Sequence, residues 1–121
     1  MYHIGKDIIE IARIQEAVNR WGEGFLHRVY IDSEVRECQK SLSSLTARVA
    51  GKEAVIKALG TKNKGVSWRE IEVLSQPSGK PLVRFYSRAQ AEATSLGINE
   101  FTISLSHSKE SAIAFVVGEI K

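Results

Sequence analysis

The hydrophobic pattern of residues 45–60 predicts a buried helix near the middle of the chain. The stretch RVAGKEAVIKALG is rich in good helix formers, and Gly60 stands where a C-terminal cap belongs. At roughly 100° of turn per residue, its apolar side chains fall on two nearly opposite stripes. These stripes are Leu45, Val49, Ile56 and Leu59 on one side, and Ala47, Ala50, Ala54 and Ala58 on the other. A helix that is apolar on two sides is largely buried, and the alanine side suits close packing against another element.

Four charged residues lie within this predicted helix, and three of them, Lys52, Glu53 and Lys57, bear on how it is buried. Lys52 falls in the larger apolar stripe, whereas Glu53 and Lys57 share one edge at i, i+4 spacing. One interpretation is a lysine that lays its stem along apolar surface beside an ordinary helix ion pair. The other is a buried charge, which needs a partner, a metal or a bound ligand to offset its desolvation. The helix alone leaves both open.

The patterns on either side of this helix predict an α+β fold with an antiparallel sheet. The chain opens with a strand of about six residues that contains Gly5 and has Asp7 near its end. A glycine inside a strand marks close approach of a backbone or ligand, or a bulge. The further predicted elements are a helix over 9–20, a short helical turn over 25–30, a helix from 32 to about 40, strands over 69–74 and 81–86 joined by a turn, a helix over 87–96, an alternating strand over 101–107 and a continuous apolar strand over 112–117. Helices followed by hairpins are typical of the α+β class.

Length and composition predict one globular domain over residues 1–121. The 121 residues are 43% hydrophobic and 26% charged, which is ordinary for a soluble protein. No apolar run is long enough to span a membrane, and no signal-peptide pattern is present, so we expect a cytoplasmic protein without a membrane partner. The single cysteine, Cys38, excludes an intramolecular disulfide and fits a reducing cytosol.

The charge of the chain allows an acidic partner without requiring one. The formal net charge is +3 and the sequence pI is about 9.1, which fits a nucleic acid, a phosphate-bearing cofactor or an acidic protein. It equally fits a mildly basic protein with no charged partner. No stretch interleaves basic and aromatic residues and no basic tail occurs, so we expect no nucleic-acid partner.

Three polar residues at strand ends and on the central helix suggest a metal and phosphate site. Asp7 and Glu53 offer two carboxylates without clustered His or Cys, which suits a hard cation such as Mg²⁺. His107 closes the strand FTISLSH. Cations available to neutralise phosphates are Arg48, Lys52, Lys57, Lys62 and Lys64. A Ser106–His107 hydrolase is disfavoured, because neighbouring strand residues point to opposite faces and no G-x-S-x-G elbow is present.

The sequence resembles the 4′-phosphopantetheinyl transferases of the holo-acyl-carrier-protein synthase type. Five motifs of that family occur in order over practically the whole chain. They are G-x-D-x-x-x-x-x-R (Gly5, Asp7, Arg13), R-x-x-x-K-E-A-x-x-K-A-x-G (Arg48, Lys52, Glu53, Ala54, Lys57, Ala58, Gly60), an I-E-V strand (Ile71 to Val73), a G-K-P turn (Gly79, Lys80, Pro81), and S-x-S-H (Ser104, Ser106, His107) before A-x-A-x-V-V (Ala112, Ala114, Val116, Val117). Each motif alone is weak, but the ordered set is highly specific.

The resemblance implies a reaction and a set of site residues. Such enzymes move the phosphopantetheine arm of coenzyme A to a serine of apo acyl carrier protein and release adenosine 3′,5′-bisphosphate. By position, Asp7 and Glu53 would hold Mg²⁺ against the pyrophosphate, and Lys57 would stabilise the phosphates. Contacts to coenzyme A would also come from Arg48, Lys52, Gly79, Lys80, Pro81, Ser106 and His107. The family is typically a homotrimer with sites at subunit interfaces, which would give the alanine stripe and the surplus apolar strands a use.

The acidic carrier protein would dock on the first helix. Arg13 and Arg20 are seven residues apart and share a face of that helix, so they are the expected docking residues. For Arg20, which has no firm motif match, a solvated arginine is an equal alternative.

Two positions depart from the family pattern. Ser108 follows the histidine where many relatives have Asp, so any role of that Asp as base or ligand is absent and Glu53, directly or through a water, is the candidate base. Gly51 stands where alanine is common and costs helix propensity of up to about 1 kcal/mol. The competing hypotheses are a catalytically silent coenzyme A or nucleotide-binding module and a basic nucleic-acid-binding domain.

Overall fold

The computed structural model of the protein describes residues 1–38, 41–60 and 65–120. The helices are α1 (Ile11–Trp21), α2 (Glu23–Val29), α3 (Asp32–Cys38), α4 (Leu42–Leu59) and α5 (Ser87–Ser95), with a 3₁₀ turn at Trp68–Glu70. The strands are β1 (Tyr2–Glu10), β2 (Ile71–Ser75), β3 (Pro81–Phe85), β4 (Ile98–His107) and β5 (Ser111–Ile120). Lys62 and Lys64, two of the predicted phosphate-neutralising cations, and the predicted end of α3 at Lys40 lie outside the described residues.

All the described strand pairs are antiparallel. One sheet has the order β1-β5-β4, and β2 and β3 form a separate hairpin. Helix α4 packs across the inner face of the three-stranded sheet and is the most buried helix of the fold. The predicted α+β class with an antiparallel sheet is therefore confirmed.

Helix α4 begins and ends as its sequence requires. The side chain of Ser41 accepts a hydrogen bond from the Ser44 N–H and caps the first turn. Gly60 adopts a left-handed conformation at φ 69° and closes the helix. Both apolar stripes are covered within one chain, because the alanine stripe lies against β1 and β5 and the larger stripe faces the core.

The first strand is longer than the sequence pattern predicts. It runs for nine residues rather than about six, and α1 begins at Ile11 rather than at residue 9. Continuous pairing with β5, from Tyr2 opposite Glu119 to Glu10 opposite Ser111, keeps this segment extended. Asp7 therefore lies inside the strand, opposite Ala114.

Gly5 marks a close approach of backbone to backbone. A Cβ built at this position would lie 1.9 Å from the carbonyl oxygen of Ala54 and 2.9 Å from the backbone N of Ala58. This contact is the reason for glycine within the strand, and it brings β1 and the alanine stripe of α4 together.

The last strand alternates instead of being buried on both faces. Ala112, Ala114 and Val116 are fully buried under α4. Their neighbours point to the opposite side, where they join exposed residues of β1. This outer face consists of Tyr2, Ile4, Ile8, Ile113, Phe115 and Val117. It is a largely apolar sheet surface that none of the described residues covers.

The segment before the hairpin differs from its prediction. A strand was expected from residue 69, but Trp68–Glu70 forms a 3₁₀ turn. Ser67 and Glu70 form a capping box, in which the Ser67 N–H donates to Glu70 Oε1 at 3.1 Å. These local hydrogen bonds hold residues 68–70 in a 3₁₀ turn, so the strand begins only at Ile71.

Candidate functional site

The two predicted metal-binding carboxylates line one cavity. Its volume is about 430 Å³, and Asp7 reaches it from β1, Glu53 from α4 and Arg13 from α1. The remaining wall is largely apolar, with Phe25 and Val49 among its residues. Two acidic groups and one cation therefore share an open, mostly apolar hollow.

A lysine and an indole hold these carboxylates. Lys57 Nζ lies 2.5 Å from Asp7 Oδ1, and the side chain of Lys57 is 55% exposed. Trp68 Nε1 donates to Glu53 Oε1 at 2.6 Å. Among the described residues, neither Asp7 Oδ2 nor Glu53 Oε2 accepts a hydrogen bond from a protein donor.

This donor set fits a magnesium ion. Mg²⁺ prefers oxygen ligands, often takes only one or two carboxylates, and completes its shell with water and substrate phosphate. Asp7 and Glu53 supply that number of carboxylates, each with one oxygen not engaged by a protein donor in the described chain. No cluster of three or more His, Cys, Asp or Glu side chains occurs among those residues. A closed all-protein cage is thus absent there, and a shared protein–substrate site is what the residues can build.

Four of the residues predicted to contact coenzyme A line two other hollows: Arg48, Gly79, Pro81 and His107. One, of about 270 Å³, is lined by Arg48, Ser75, Gly79, Pro81 and three residues of β4. Arg48 donates to Ser75 Oγ at 3.0 Å, but its buried Nε has no hydrogen-bond partner in the described part of the chain. A buried unpaired donor beside a hollow indicates a site for an external acceptor.

His107 lies in the other hollow, at the end of β4. Its lining residues are Ile11, Ser43, His107, Ser108 and Lys109. Ser108, at the position where relatives often have Asp, accepts hydrogen bonds from the N–H groups of Glu110 and Ser111, both at 3.2 Å. Ser108 therefore stabilises the turn between β4 and β5. Ser106 and Lys80 are exposed.

The single chain does not unite all the predicted site residues. The structure brings Asp7, Glu53, Lys57 and Arg13 together. Arg48 lies with Gly79 and Pro81 in a second hollow, and His107 lies in a third. The three hollows have no lining residue in common.

Lys52 requires a correction, because its side chain is engaged inside the protein. It is fully buried and pairs with the equally buried Glu34 at 2.7 Å. It also donates to the carbonyl oxygens of Trp68, at 2.9 Å, and Ile71. These three acceptors use its three N–H groups, so its position argues against the predicted contact with coenzyme A. Burial lowers the pKa of Lys52, and the attraction of Glu34 opposes that shift.

The two candidate docking arginines lie on the exposed side of α1. Arg13 lines the carboxylate cavity. Arg20 lies about two helical turns further on, with its guanidinium carbon 5.2 Å from the ring centroid of Trp21. Arg13 is thus adjacent to the site, whereas Arg20 contacts an exposed aromatic ring.

Sequence reasoning missed Trp68 and Glu34. Trp68 belongs to no motif that we considered, and Glu34 looked like an ordinary polar residue of α3. The sequence indicated only that Lys52, if buried, would need a partner, a metal or a bound ligand. Nothing in the sequence pattern showed which one.

The α+β fold places two carboxylates and a lysine at one cavity, an arrangement that suits the class of enzymes acting on phosphorylated substrates. Residues 3–116 match the model of the 4′-phosphopantetheinyl transferase superfamily. The chain is 51% identical over 121 residues to the holo-[acyl-carrier-protein] synthase of Herpetosiphon aurantiacus, which covers 94% of this chain and 95% of the relative. It is 50% identical over 119 residues to the synthase of the same name from Dehalococcoides mccartyi, with 98% and 99% covered.

A solved structure agrees. The holo-[acyl-carrier-protein] synthase of Helicobacter pylori, in complex with coenzyme A, superposes with a TM-score of 0.86 at 35% identity, covering 96% of this chain and 99% of that one. The chain belongs to the 4′-phosphopantetheinyl transferase superfamily.

Proposed function

We propose that this protein is a holo-acyl-carrier-protein synthase, which transfers the 4′-phosphopantetheine group of coenzyme A to a serine of apo acyl carrier protein. The observation that supports this proposal most is the cavity lined by Asp7 and Glu53, with Lys57 paired to Asp7 at its edge. The chain is also 51% identical to a holo-[acyl-carrier-protein] synthase. In the reaction the serine oxygen forms a bond to the pantetheine-side phosphorus. The bond from that phosphorus to the adenosine-side phosphate oxygen breaks, and adenosine 3′,5′-bisphosphate leaves.

Asp7 and Glu53 are the proposed ligands of Mg²⁺, which, when bound, would offset the charge of the pyrophosphate. Lys57, exposed beside Asp7, would contact the phosphates. In phosphoryl transfer the protein chiefly positions groups and offsets charge, so this equipment suits the reaction. Glu53, directly or through a water, is the candidate base for the serine proton.

Acyl carrier protein is the proposed macromolecular partner. Arg13 lines the cavity and faces solvent on α1, so an acidic protein docked there would present its serine beside the carboxylates. Arg20 lies on the same helix and stays a weaker candidate.

A homotrimer with sites between subunits is the proposed assembly. The alanine stripe of α4 no longer supports it, because β1 and β5 cover that stripe within one chain. The support is the apolar outer face, together with the separation of Arg48 and His107 from the carboxylate cavity. A neighbouring subunit that covers the outer face would supply the nucleotide-binding residues from its own chain.

A mass measurement tests the function. The protein is incubated with coenzyme A, Mg²⁺ and an apo acyl carrier protein, and the carrier is weighed by mass spectrometry. A synthase adds one phosphopantetheine group to the carrier. A carrier of unchanged mass, with coenzyme A bound, would favour the silent binding module, and binding of nucleic acid instead would favour the third hypothesis.

No helix in the described ranges is long and apolar enough to cross a membrane. The cytoplasmic location and the single domain over 1–121 stay predictions.

A further inference from the structure

Trp68 connects two consecutive residues of α4 that serve different purposes. Its carbonyl oxygen accepts a hydrogen bond from the buried Lys52 at 2.9 Å. Its indole N–H donates to Glu53 Oε1 at 2.6 Å. Lys52 and Glu53 leave the helix about 100° apart. Trp68 therefore spans from a buried ammonium to a carboxylate of the cavity.

The ammonium group of Lys52, which bonds the Trp68 carbonyl, is itself held by an ion pair. Lys52 and Glu34 are both fully buried, and their charged atoms are 2.7 Å apart. Glu34 also accepts from the backbone N–H groups of Ile31 and Val73, each at 2.8 Å. Besides bonding each other, the two charged groups bond to β2, to the 3₁₀ turn and to Ile31 just before α3, which gives the pair one arrangement.

The other end of the 3₁₀ turn is also tied down. Glu70 accepts hydrogen bonds from the N–H groups of Ser67, Arg88 and Ala89, at 3.1, 2.7 and 3.3 Å. These bonds attach the turn to the first residues of α5. The indole is therefore presented by a backbone that is held on both sides, as a preorganised donor must be.

We propose that Trp68 is a positioning residue for Glu53. The indole N–H donates to Glu53 Oε1 and so fixes the rotamer of the Glu53 carboxylate. Glu53 Oε2 is then available to bind a cation that Asp7 also binds. The inference rests on the proposed function, because it takes Glu53 as a ligand of Mg²⁺. Donors that orient a ligating carboxylate typically change metal affinity by about 10–100-fold when removed.

The first experiment removes the donor and keeps the ring. Mg²⁺ is titrated calorimetrically into wild type and Trp68→Phe, with coenzyme A present and the carrier absent so that no turnover occurs. We expect Trp68→Phe to bind Mg²⁺ about 10-fold more weakly. Trp21→Phe is the matched control, since Trp21 is exposed and hydrogen-bonds no carboxylate of the cavity, and its Mg²⁺ affinity should equal that of wild type.

Steady-state rates and thermal unfolding separate positioning from structure. The Mg²⁺ concentration for half-maximal rate should rise in Trp68→Phe, while kcat at saturating Mg²⁺ falls much less. A residue with only a structural role would lower the unfolding midpoint and leave the Mg²⁺ affinity unchanged. That result would overturn the inference.

A second experiment leaves Trp68 in place and does not depend on how well Trp68→Phe folds. The chain has two tryptophans, so Trp68 is the single fluorophore of its kind in Trp21→Phe. Mg²⁺ should change its emission saturably, at the concentrations found by calorimetry, because binding polarises the carboxylate bonded to the indole. Adding Glu53→Gln should abolish the change. Emission that stays constant while Mg²⁺ binds would contradict the proposal.

The outcomes also distinguish a failure of the Trp68 inference from a failure of the proposed function on which it rests. If Glu53→Gln and wild type bind Mg²⁺ alike, the metal assignment is wrong and the inference is wrong with it. If Glu53→Gln loses Mg²⁺ while Trp68→Phe binds it as wild type does, the metal assignment stands and only the role of Trp68 is rejected.

Discussion

Asp7 and Glu53 are held by different neighbours, although they line the same cavity. Asp7 is paired with the ammonium group of an exposed lysine, whereas Glu53 accepts a hydrogen bond from an indole whose backbone is bonded to neighbouring elements. At the scale of single residues, the role of each carboxylate in metal binding can be tested by replacing the acid with its amide, which keeps the shape of the side chain and removes its charge.

The amide variants test the metal ligands. Asp7→Asn and Glu53→Gln should each lower turnover by about 100-fold or more, since even outer partners of a metal site typically contribute 10–100-fold. Both variants should fold, because each amide occupies the space of the acid. Steady-state rates at several Mg²⁺ concentrations and a circular dichroism spectrum check this. Near-normal turnover at low Mg²⁺ in both variants would end the assignment.

The charge of Arg13 tests the docking surface. Arg13→Glu should raise the KM for the carrier by about 10-fold or more, because like charges would face each other across the interface. The affinity for coenzyme A should change little. The effect should shrink as salt is added, since exposed charges act through a screened field. Arg36→Glu, on the exposed side of α3, is the matched control, and an unchanged carrier KM in Arg13→Glu at low salt would remove Arg13 from the docking surface.

At the scale of elements, the contact between β1 and α4 decides where the site residues lie. Asp7 is two residues from Gly5, and Glu53 precedes Ala54, whose carbonyl oxygen faces Gly5. The close approach of these two backbones therefore sets the spacing of the carboxylates. Any side chain at position 5 would push the strand off the helix.

Gly5→Ala tests this contact. The added Cβ would lie 1.9 Å from a carbonyl oxygen, so we expect a loss of at least about 3 kcal/mol in the free energy of unfolding. Gly24→Ala is the matched control, because a Cβ there meets nothing within 4 Å and lies in helix α2. It should be neutral or stabilising by up to about 1 kcal/mol. Urea unfolding measures both, and equal stability of the two variants would show that the contact does not exist as described.

A second element-scale prediction concerns the β2–β3 hairpin. Glu72 on β2 is buried, which would raise its pKa, but hydrogen bonds from Ser33 and from Tyr86, the latter at 2.6 Å, outweigh burial. The pKa of Glu72 therefore lies below its ordinary value of 4.5. Because the unfolded chain binds the proton more readily, this contribution to stability is present above pH 4.5 and is lost on acidification through the folded-state pKa.

Glu72→Gln removes that titration. The variant should be less stable than wild type at pH 7, by about 1–3 kcal/mol. Its free energy of unfolding should also fall less steeply between pH 5 and pH 3. Urea unfolding across this range checks both expectations, and an identical slope in the two proteins would contradict the account of Glu72.

At the scale of the whole molecule, the outer face is the feature that the single chain leaves unexplained. Phe115 is 48% exposed and Ile8 63% exposed, on a largely apolar sheet face that the exposed Lys6, opposite Phe115, interrupts. Large exposed apolar surfaces of this kind mark interfaces. The proposed trimer would cover this one and complete the site.

Phe115→Glu tests the assembly. Because the ring faces outward, the charge should disturb the single chain little but prevent association, so light scattering should report a monomer and activity should be lost. Gln90→Glu, on the exposed side of α5, should keep the mass of three chains and full activity. A monomeric wild type that is fully active at nanomolar concentration would exclude the trimer.

The sequence alone determined the elements whose causes are local. The periodicity of residues 45–60, the cap at Gly60 and the alternation of residues 101–107 in β4 reflect interactions within a few residues, so pattern reasoning could predict them. The same holds for the hairpin around Gly79. Residue types suggested Asp7 and Glu53 as a metal pair and Lys57 as a phosphate-neutralising cation, and the motif resemblance implied the same roles. The structure brings these three residues together.

Only the tertiary structure decided what depends on residues far apart in the chain. Glu34 bonds the N–H of Val73, 39 residues away, and Trp68 reaches Glu53 across 15 residues. At Gly51 the tertiary packing is also tight, because a Cβ there would lie 3.2 Å from side-chain carbons of Ile103 and Val73. Such contacts arise from how elements of different periodicity are packed, and local propensity carries no record of which surfaces will meet.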